Sequence, residues 1–270
     1  MNQSEGDSSE KEFLTPVSGG KFRFSCHKGI KCFNRCCADL RLVLTPYDII
    51  RIKNRLGLSS KEFLDRYTEP QTGEKTWFPM LKLRMDDKTL TCPFVTPEGC
   101  SIYEDRPGAC RTYPLGRAAS QSIEGEAKEY HFIVNEPHCL GHNEEKEWTI
   151  SEWKEDQGIN VYNEMNDYWA EIITNSAVLT QKELSSKKLQ MFYMASYNLD
   201  SFRKFVFETR FLDMFDVDDK VVEEIKRDEI ELMKFAFKWL RFSLFGEKTL
   251  KIKDAVAEAQ KKKLDIKDKK

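Results

Sequence analysis

The chain has 270 residues, which is enough to bury a core without support from disulfides. Its 43 Lys and Arg residues nearly balance its 45 Asp and Glu residues, so no excess of positive charge favours a nucleic acid partner. Residues 1–10 lack the basic and apolar regions of a signal peptide, and no apolar run is long enough to predict a membrane span. We therefore expect a cytoplasmic protein, and in that reducing compartment eight cysteines favour metal ligation over disulfides.

Short strands and helices are predicted for the first half of the chain. Residues 1–20 are polar and are expected to be disordered, and alternation over residues 21–24 predicts a strand. Thr45 and Asp48 form a capping box that starts a helix, and Gly57 ends it. The further predicted elements are a strand at 41–44, a helix from Ser59, extended chain at 77–85, a turn at Asp86 and Asp87, a strand ending at Cys92, and a hairpin of 117–123 and 128–134 turning at Glu124 and Gly125.

Helical periodicity dominates after about residue 148. Large apolar side chains between Trp153 and Trp169 recur on one face of a predicted helix. Further helices are predicted for 186–197, 200–215 and 218–244, with Gly246 as the stop. The expected fold class is α+β: a small cysteine-rich metal-binding module with short strands and helices, followed by an all-helical C-terminal region. The predicted boundaries are a disordered segment at 1–20, a cysteine-cluster metal-binding domain at 21–146, a helical region at 147–246 and a Lys-rich tail at 247–270.

The cysteines are confined to one part of the chain. They are predicted as metal ligands and are Cys26, Cys32, Cys36, Cys37, Cys92, Cys100, Cys110 and Cys139. Thiolates bind zinc or iron-sulfur clusters, and eight are enough for two four-coordinate sites or for one cluster with spare ligands. Adjacent side chains on an extended backbone point to opposite faces, so one of Cys36 and Cys37 is expected to serve a second site or to stay a free thiol.

The cysteine spacings match neither paired Cys-x-x-Cys zinc knuckles nor a standard ferredoxin run. Adjacent Cys36 and Cys37 suit a bulky cluster or a second site better than one tetrahedral ion, so an iron-sulfur cluster is predicted over zinc. Cys32, Cys36, Cys100 and Cys110 are expected among the contacts of the cluster. His138 and His142 are alternative ligands. Arg106 and Arg111 are the predicted cofactor-binding residues, and together with Arg35 they could offset the negative charge of four thiolates.

Two sequence blocks in this order resemble the YkgJ-type cysteine-cluster family. The first runs from Cys32 to Asp48 and the second from Cys92 to Pro114, and the likeness covers about residues 21–142. That family is described as zinc- or iron-chelating, so the resemblance implies chelation and not a particular reaction. Flagellin lysine methylases contain a similar module, but no glycine-rich loop after a predicted strand indicates a standard methyl-donor site here.

The leading functional prediction is a metal-binding protein that holds an iron-sulfur cluster and acts in electron transfer or partner binding. The helical region is then the surface for an unidentified protein partner, with no nucleic acid and no membrane span expected. The alternatives are a structural zinc-binding module and an oxidoreductase or protein-lysine-modifying enzyme that uses the cluster. The sequence shows no Ser/His/Asp set, paired carboxylates or phosphate loop, so enzymatic activity stays open.

Overall fold

The computed structural model describes residues 13–71, 78–121, 127–176, 184–256 and 258. The strands in these residues are β1 (Leu14–Pro16), β2 (Lys21–Arg23), β3 (Val43–Leu44), β4 (Thr68–Gln71), β5 (Met80–Leu83), β6 (Val95–Thr96), β7 (Gly99–Cys100), β8 (Leu115–Gln121), β9 (Ala127–Val134), β10 (Glu147–Thr149), β11 (Phe215–Asp216) and β12 (Lys251–Ile252).

The longest α-helices in the same residues lie in the second half of the chain. They are α1 (Pro46–Leu56), α2 (Ser60–Tyr67), α3 (Gly108–Thr112), α4 (Ile150–Asp156), α5 (Ile159–Ile173), α6 (Ser186–Ser196), α7 (Leu199–Phe207), α8 (Phe211–Met214), α9 (Asp219–Arg227) and α10 (Glu229–Phe245). The prediction of an α+β fold, with a cysteine-rich part followed by a helical region, is confirmed. No helix in the described part of the chain is long and apolar enough to cross a membrane.

The chain divides into two compact units that alternate along the sequence. The first unit contains Met1–Leu42 and Leu83–Glu164, and the second contains Val43–Lys82 and Met165–Lys270. The boundary near residue 164 falls inside α5. The domain boundaries predicted from the sequence stay a prediction.

The first unit contains all eight cysteines and a sheet with the strand order β1-β9-β8. Strands β2 and β10 form an antiparallel ribbon, and β6 and β7 form a short hairpin. Its apolar core combines residues from β2, β8, β9, α4 and α5, namely Phe22, Phe24, Leu115, Ile133, Trp153 and Ile159. This core lies next to the cysteine loop in sequence, because Phe24 precedes Cys26 by two residues.

The second unit is built around buried aromatic side chains on its helices. Phe192 on α6, Phe202 on α7 and Phe211 on α8 are fully buried. A sheet with the order β3-β5-β4 and a ribbon of β11 and β12 complete the unit. An ion pair joins Lys53 Nζ on α1 to Glu229 Oε1 on α10 at 2.6 Å, with the Lys53 side chain only 6% exposed.

The predicted ends of helix α1 are confirmed. The Thr45 hydroxyl accepts a hydrogen bond from Asp48 N at 3.3 Å, and Asp48 Oδ2 accepts one from Thr45 N at 2.9 Å. Gly57 follows the helix with φ of 65°, a left-handed conformation that glycine adopts without steric cost. Local sequence therefore determines both ends of this helix.

The helix predicted around residues 153–169 is interrupted. Helix α4 ends at Asp156 and α5 begins at Ile159, so the apolar residues on the predicted face belong to two helices. The break lies at Gly158, which has φ of 60°. A continuous right-handed helix cannot contain that conformation.

Two other predicted helices are also divided. The helix predicted for 200–215 consists of α7 and α8, which are separated by bends at residues 208–210. The helix predicted for 218–244 is divided at Asp228, whose backbone is extended and whose Oδ1 accepts hydrogen bonds from the backbone of Ile230 and Glu231. Asp228 therefore caps α10 instead of continuing α9.

Several predicted segments differ from the structure at the ends of the chain and in one loop. Within the segment expected to be disordered, Leu14–Pro16 pair with β9, and within the predicted tail, β12 pairs with β11. The strand expected before Cys92 is reduced to an isolated bridge between Thr91 and Ala38. Residues 1–12, Trp77, the hairpin turn at 124 and 125, and the tail from 259 to 270 lie outside the described residues.

Candidate metal-binding site

Consecutive tight turns shape the first cysteine loop. The backbone N–H groups of Ile30, Phe33, Arg35 and Cys37 each donate to the carbonyl three residues earlier, at 2.9 to 3.1 Å. Asn34 has φ of 67° and anchors the loop through its amide, which donates to the Thr96 carbonyl at 2.8 Å. The turns place Cys32 in the interior, with 8% of its surface exposed, whereas Cys26 is exposed.

Backbone hydrogen bonds join the second cysteine block to the first. Cys92 N donates to the Cys37 carbonyl at 2.8 Å, immediately after the bridge between Ala38 and Thr91. Cys100 lies on β7 opposite Val95 in the short hairpin, and Val95 N donates back to the Cys92 carbonyl at 3.1 Å. Cysteines that are more than 50 residues apart in sequence therefore lie beside each other.

The segment around Cys139 closes the loop from the other side. Leu140 N donates to Cys32 Sγ at 3.2 Å, and Ser25 N donates to the Gly141 carbonyl at 3.1 Å. The close approach requires glycine at 141, because a Cβ there would lie 2.5 Å from the Phe24 ring and 2.9 Å from the Ser25 carbonyl oxygen. Cys139 is thus held next to the start of the first cysteine loop.

The thiols influence each other electrostatically. Partial burial, together with the neighbouring thiols of Cys36, Cys32 and Cys139, raises the pKa of Cys26 to about 11. Burial also raises the pKa of Cys139, with additional contributions from Cys32 and Cys36. In the second block, burial raises the pKa of Cys92, and the nearby thiols of Cys100 and Cys36 add to that effect. Such effects require short separations between the sulfurs.

Cys36 and Cys37 do not lie on an extended backbone, so the geometric reason for placing them on opposite faces is wrong. The expectation that one of them serves a second site or stays a free thiol remains a prediction. Both lie in a 3₁₀ helix, Arg35–Cys37, and not on an extended backbone, and their thiols are hydrogen-bonded to each other. The bond from Cys37 lowers the pKa of Cys36 to about 7, and the same bond raises the pKa of Cys37. The pair brings two sulfurs together at the junction of the first and second blocks.

The donor set fits a soft metal centre by its chemistry. All eight cysteines are free thiols, and thiolates are the preferred ligands of zinc and of iron-sulfur clusters. Within the described residues, no three Cys, His, Asp or Glu side chains already form a group at metal-binding distances. Ligation therefore requires rotation of the thiol side chains, which the partly exposed positions of most of them permit.

Arg106 and Arg111 lie within the second block and are both buried, with 7% and 8% of their surface exposed. Arg106 donates to the Tyr103 carbonyl at 2.5 Å and to the side chain of Gln157. Arg111 donates to the carbonyls of Gln157 and Glu104 at 2.5 and 2.6 Å. Burial raises the pKa of Cys100, and the charge of Arg106 offsets part of that rise. Most of the hydrogen bonds that the two arginines donate therefore go to backbone carbonyl oxygens. Their predicted cofactor-binding role stays a prediction.

Residues 25–140 match the family model CxxCxxCC, described as "Putative zinc- or iron-chelating domain". The matched residues are similar to that family and make up less than half of the chain. The match confirms the resemblance that the two cysteine blocks indicate, and it supports chelation of zinc or iron without selecting one of them. The chelating domain of this chain has wider spacing before its Cys-Cys pair than the family name describes, since five residues separate Cys26 from Cys32. No curated protein and no solved structure matches the chain.

Both histidines considered as alternative ligands lie near the C-terminal end of the residues that the family model matches. His138 is paired with Glu136 at 3.1 Å between Nε2 and Oε2. His142 packs against Phe24, with ring centres 5.4 Å apart, and burial lowers its pKa. Their ligand roles stay a prediction. His138 and Glu136 also line a depression of about 440 Å³ together with Arg35, Ala38, Asp39 and Leu40.

Three residues near the thiols were not singled out in the sequence. Tyr113 faces Cys139, and burial together with that thiol raises the pKa of the Tyr113 hydroxyl. Glu136 lies near Cys36 and offsets part of the lowering of the Cys36 pKa by Cys37. Gln157, 46 residues after Arg111, accepts hydrogen bonds from both arginines: its side-chain oxygen accepts from Arg106 and its carbonyl from Arg111. The position of Tyr113 inside the second family block was an available signal, whereas no local pattern marks Gln157.

Proposed function

We propose that the chelating domain binds an iron-sulfur cluster through its clustered cysteines and that the protein acts in electron transfer or partner binding. The observation that carries this proposal is the set of eight free thiols from three distant segments, held together by backbone hydrogen bonds. A bound cluster supplies one-electron redox chemistry. The chain supplies the ligands, the covering residues and the hydrogen bonds to sulfur.

The hydrogen bond from Leu140 N to Cys32 Sγ supports the cluster assignment. N–H donors to a ligating sulfur offset its negative charge and tune the reduction potential of a cluster. Cys32 is buried, so its thiolate depends on such a donor more than an exposed thiolate does. The Tyr113 hydroxyl provides a second polar group beside the sulfur of Cys139.

Arg106 and Arg111 complete the site on the side of the second block. Four thiolates around a cluster leave excess negative charge, and Arg106 already affects the Cys100 thiol. Their hydrogen bonds to the carbonyls of residues 103, 104 and 157 fix the two guanidinium groups in place. Charge compensation therefore needs no movement of these side chains.

A structural zinc site is the second candidate function. The observation that favours it is the small amount of regular structure around the second block, where β6 and β7 have two residues each and α3 has five. Segments of this size gain stability from a metal that joins them. In that case the metal stabilises the fold and carries no electrons.

Anaerobic purification of the full chain with iron and sulfide supplied tests the proposal. We expect a coloured protein with iron and acid-labile sulfide, whose visible absorbance is lost in the Cys32→Ser variant and kept in the Ser243→Ala control on α10. A colourless protein with stoichiometric zinc contradicts the cluster and supports structural zinc. A protein that binds neither metal contradicts both functions.

A further inference from the structure

The eight thiols fall into two groups that different backbone contacts hold together. The first set is Cys26, Cys32, Cys36 and Cys139. Two hydrogen bonds define it: Leu140 N donates to Cys32 Sγ at 3.2 Å, and Ser25 N donates to the Gly141 carbonyl at 3.1 Å. These bonds place the residues on both sides of Cys139 against the beginning and the middle of the first cysteine loop. The Cys36 thiol interacts with those of Cys26 and Cys139 in this set and with that of Cys92 in the other set. We assign it here because two of these three partners lie in the first set and because Cys37 is joined to Cys92 through its backbone.

The second set is Cys37, Cys92, Cys100 and Cys110. The backbone hydrogen bond from Cys92 N to the Cys37 carbonyl at 2.8 Å joins its first two members. Cys100 is joined to them by the β6-β7 hairpin, in which Val95 pairs with Cys100 and also donates to the Cys92 carbonyl. Cys110 lies on α3, and its thiol interacts with that of Cys37.

We propose that the chain binds two metal centres, one in each set of four thiols, and that the 3₁₀ helix Arg35–Cys37 supplies one ligand to each centre. This inference rests on the proposed metal-binding function and specifies its stoichiometry. Four thiolates are the full ligand set of a tetrahedral zinc ion or of a four-iron cluster, so each set is sufficient alone. One cluster with four spare thiols would leave a complete second ligand set unused.

The burial of the thiols is consistent with this division. Each set has one exposed thiol, Cys26 in the first and Cys110 in the second, and the other members are partly or fully covered. Each centre would therefore have its own side open to solvent for metal entry. The sequence had placed Cys32, Cys36, Cys100 and Cys110 around one cluster, whereas the contacts assign the first two and the last two to different sets.

The two centres are adjacent. Cys36 and Cys37 are consecutive in the chain and lie in the same turn of the 3₁₀ helix Arg35–Cys37, so a metal bound to one sulfur lies near a metal bound to the other. Paramagnetic ions at two such positions interact magnetically. That coupling is a signature which two independent, remote sites would lack.

Cobalt titration of the apo form of the full chain, combined with differential alkylation and mass spectrometry, tests the inference. We expect the thiolate-to-Co²⁺ charge-transfer absorbance to saturate at two ions per chain, with all eight cysteines then protected from alkylation. At lower occupancy, protection should appear in groups of four that follow the two sets. Saturation at one ion per chain, or a protected group that mixes Cys32 with Cys100, would overturn the division.

Paired substitutions provide an independent measurement on the same protein. Cys32→Ser with Cys139→Ser should remove the first centre, and Cys100→Ser with Cys110→Ser should remove the second, each leaving half of the bound cobalt. If either pair removes all cobalt while circular dichroism remains that of the parent protein, the two centres are not separate and the inference fails. A parent protein with two zinc ions and no iron after anaerobic purification contradicts the iron-sulfur proposal but supports two centres. A parent protein with one iron-sulfur cluster and no second metal supports the iron-sulfur proposal but contradicts the two centres.

Discussion

Replacing Arg111 with Met tests whether this arginine mainly stabilises the fold or mainly affects the bound metal. Arg111 donates to the carbonyl oxygens of Gln157 and Glu104 at 2.5 and 2.6 Å, and its guanidinium carbon lies 4.7 Å from the centre of the Tyr162 ring. These contacts join α3, which carries Cys110, to the turn between α4 and α5. Met keeps the apolar stem and the contact with the ring but donates no hydrogen bond.

The loss of stability follows from the two carbonyl contacts. A hydrogen bond from a charged donor contributes about 1.5–3 kcal/mol. Two such bonds give roughly 3–6 kcal/mol, and removal of the buried charge itself offsets part of that loss, because burial of a guanidinium has a desolvation cost. We therefore expect Arg111→Met to lower the free energy of unfolding by about 3 kcal/mol. In a chain of this size that is a decrease in Tm of roughly 6–12 °C.

Urea denaturation and thermal melting of the full chain, at matched metal content, measure this change. Arg210→Met is the control, since Arg210 is 87% exposed and its contact with Asp213 is 3.8 Å long. We expect the control to change stability by less than about 0.5 kcal/mol. If Arg111→Met loses less than about 1 kcal/mol but shifts the reduction potential of the bound cluster, then Arg111 acts on the metal and not on the fold.

Three further changes have defined outcomes. Glu229→Gln leaves the buried ammonium of Lys53 without its carboxylate and should lower the urea unfolding free energy by about 3 kcal/mol. Thr45→Ala removes the capping box of α1 and should cost about 1 kcal/mol in the same assay. The hydrogen bond from Lys154 holds the pKa of Glu129 below its ordinary 4.5. Glu129 therefore contributes stability above that pH which is lost as the pH falls through the lowered value, so Glu129→Gln should reduce the steepness of acid unfolding.

Local signals predicted helix ends well where the capping chemistry is contained in a few consecutive residues. The box of Thr45 and Asp48 and the left-handed Gly57 define α1 without help from tertiary contacts. Gly246, with φ of 72°, ends α10 in the same way. The interruptions were missed because apolar periodicity continues across them. Asp228 carries a visible capping signal, but the apolar residues on both sides of it fit one face as well.

The pairing of strands that are distant in sequence could not be predicted from the sequence. Leu14 pairs with Val134 and Phe215 with Ile252, at separations of 120 and 37 residues. A three-residue or two-residue strand has too few positions for period-two alternation to be distinguished from a polar loop. Residues 14–16 therefore read as part of a disordered segment, although their partner β9 was predicted within one residue of its observed start.

The candidate site was predictable in its membership and not in its internal division. Clustering of thiols in the sequence indicated a metal, and order and spacing of the blocks indicated the family. The relation of Cys36 to Cys37 depended on backbone conformation, since an extended chain separates neighbouring side chains and a 3₁₀ helix lets these two meet. Which thiol lies near Cys139 or Cys92 depended on hydrogen bonds between distant segments, such as Leu140 to Cys32.

The position of the Cys36 and Cys37 pair connects metal binding to the stability of the whole chelating domain. If each residue ligates a different centre, the 3₁₀ helix Arg35–Cys37 is fixed from both sides, by the segment of Cys139 and by the segment of Cys92. Closing these loops costs chain entropy, and the contacts within short strands and turns offset only part of that cost. Metal ligation stabilises the folded state at the points where the loops meet, because the ligands are distributed over all three segments. Removing either metal should then loosen the shared helix and lower the metal affinity of the other centre, which still fills at saturating cobalt.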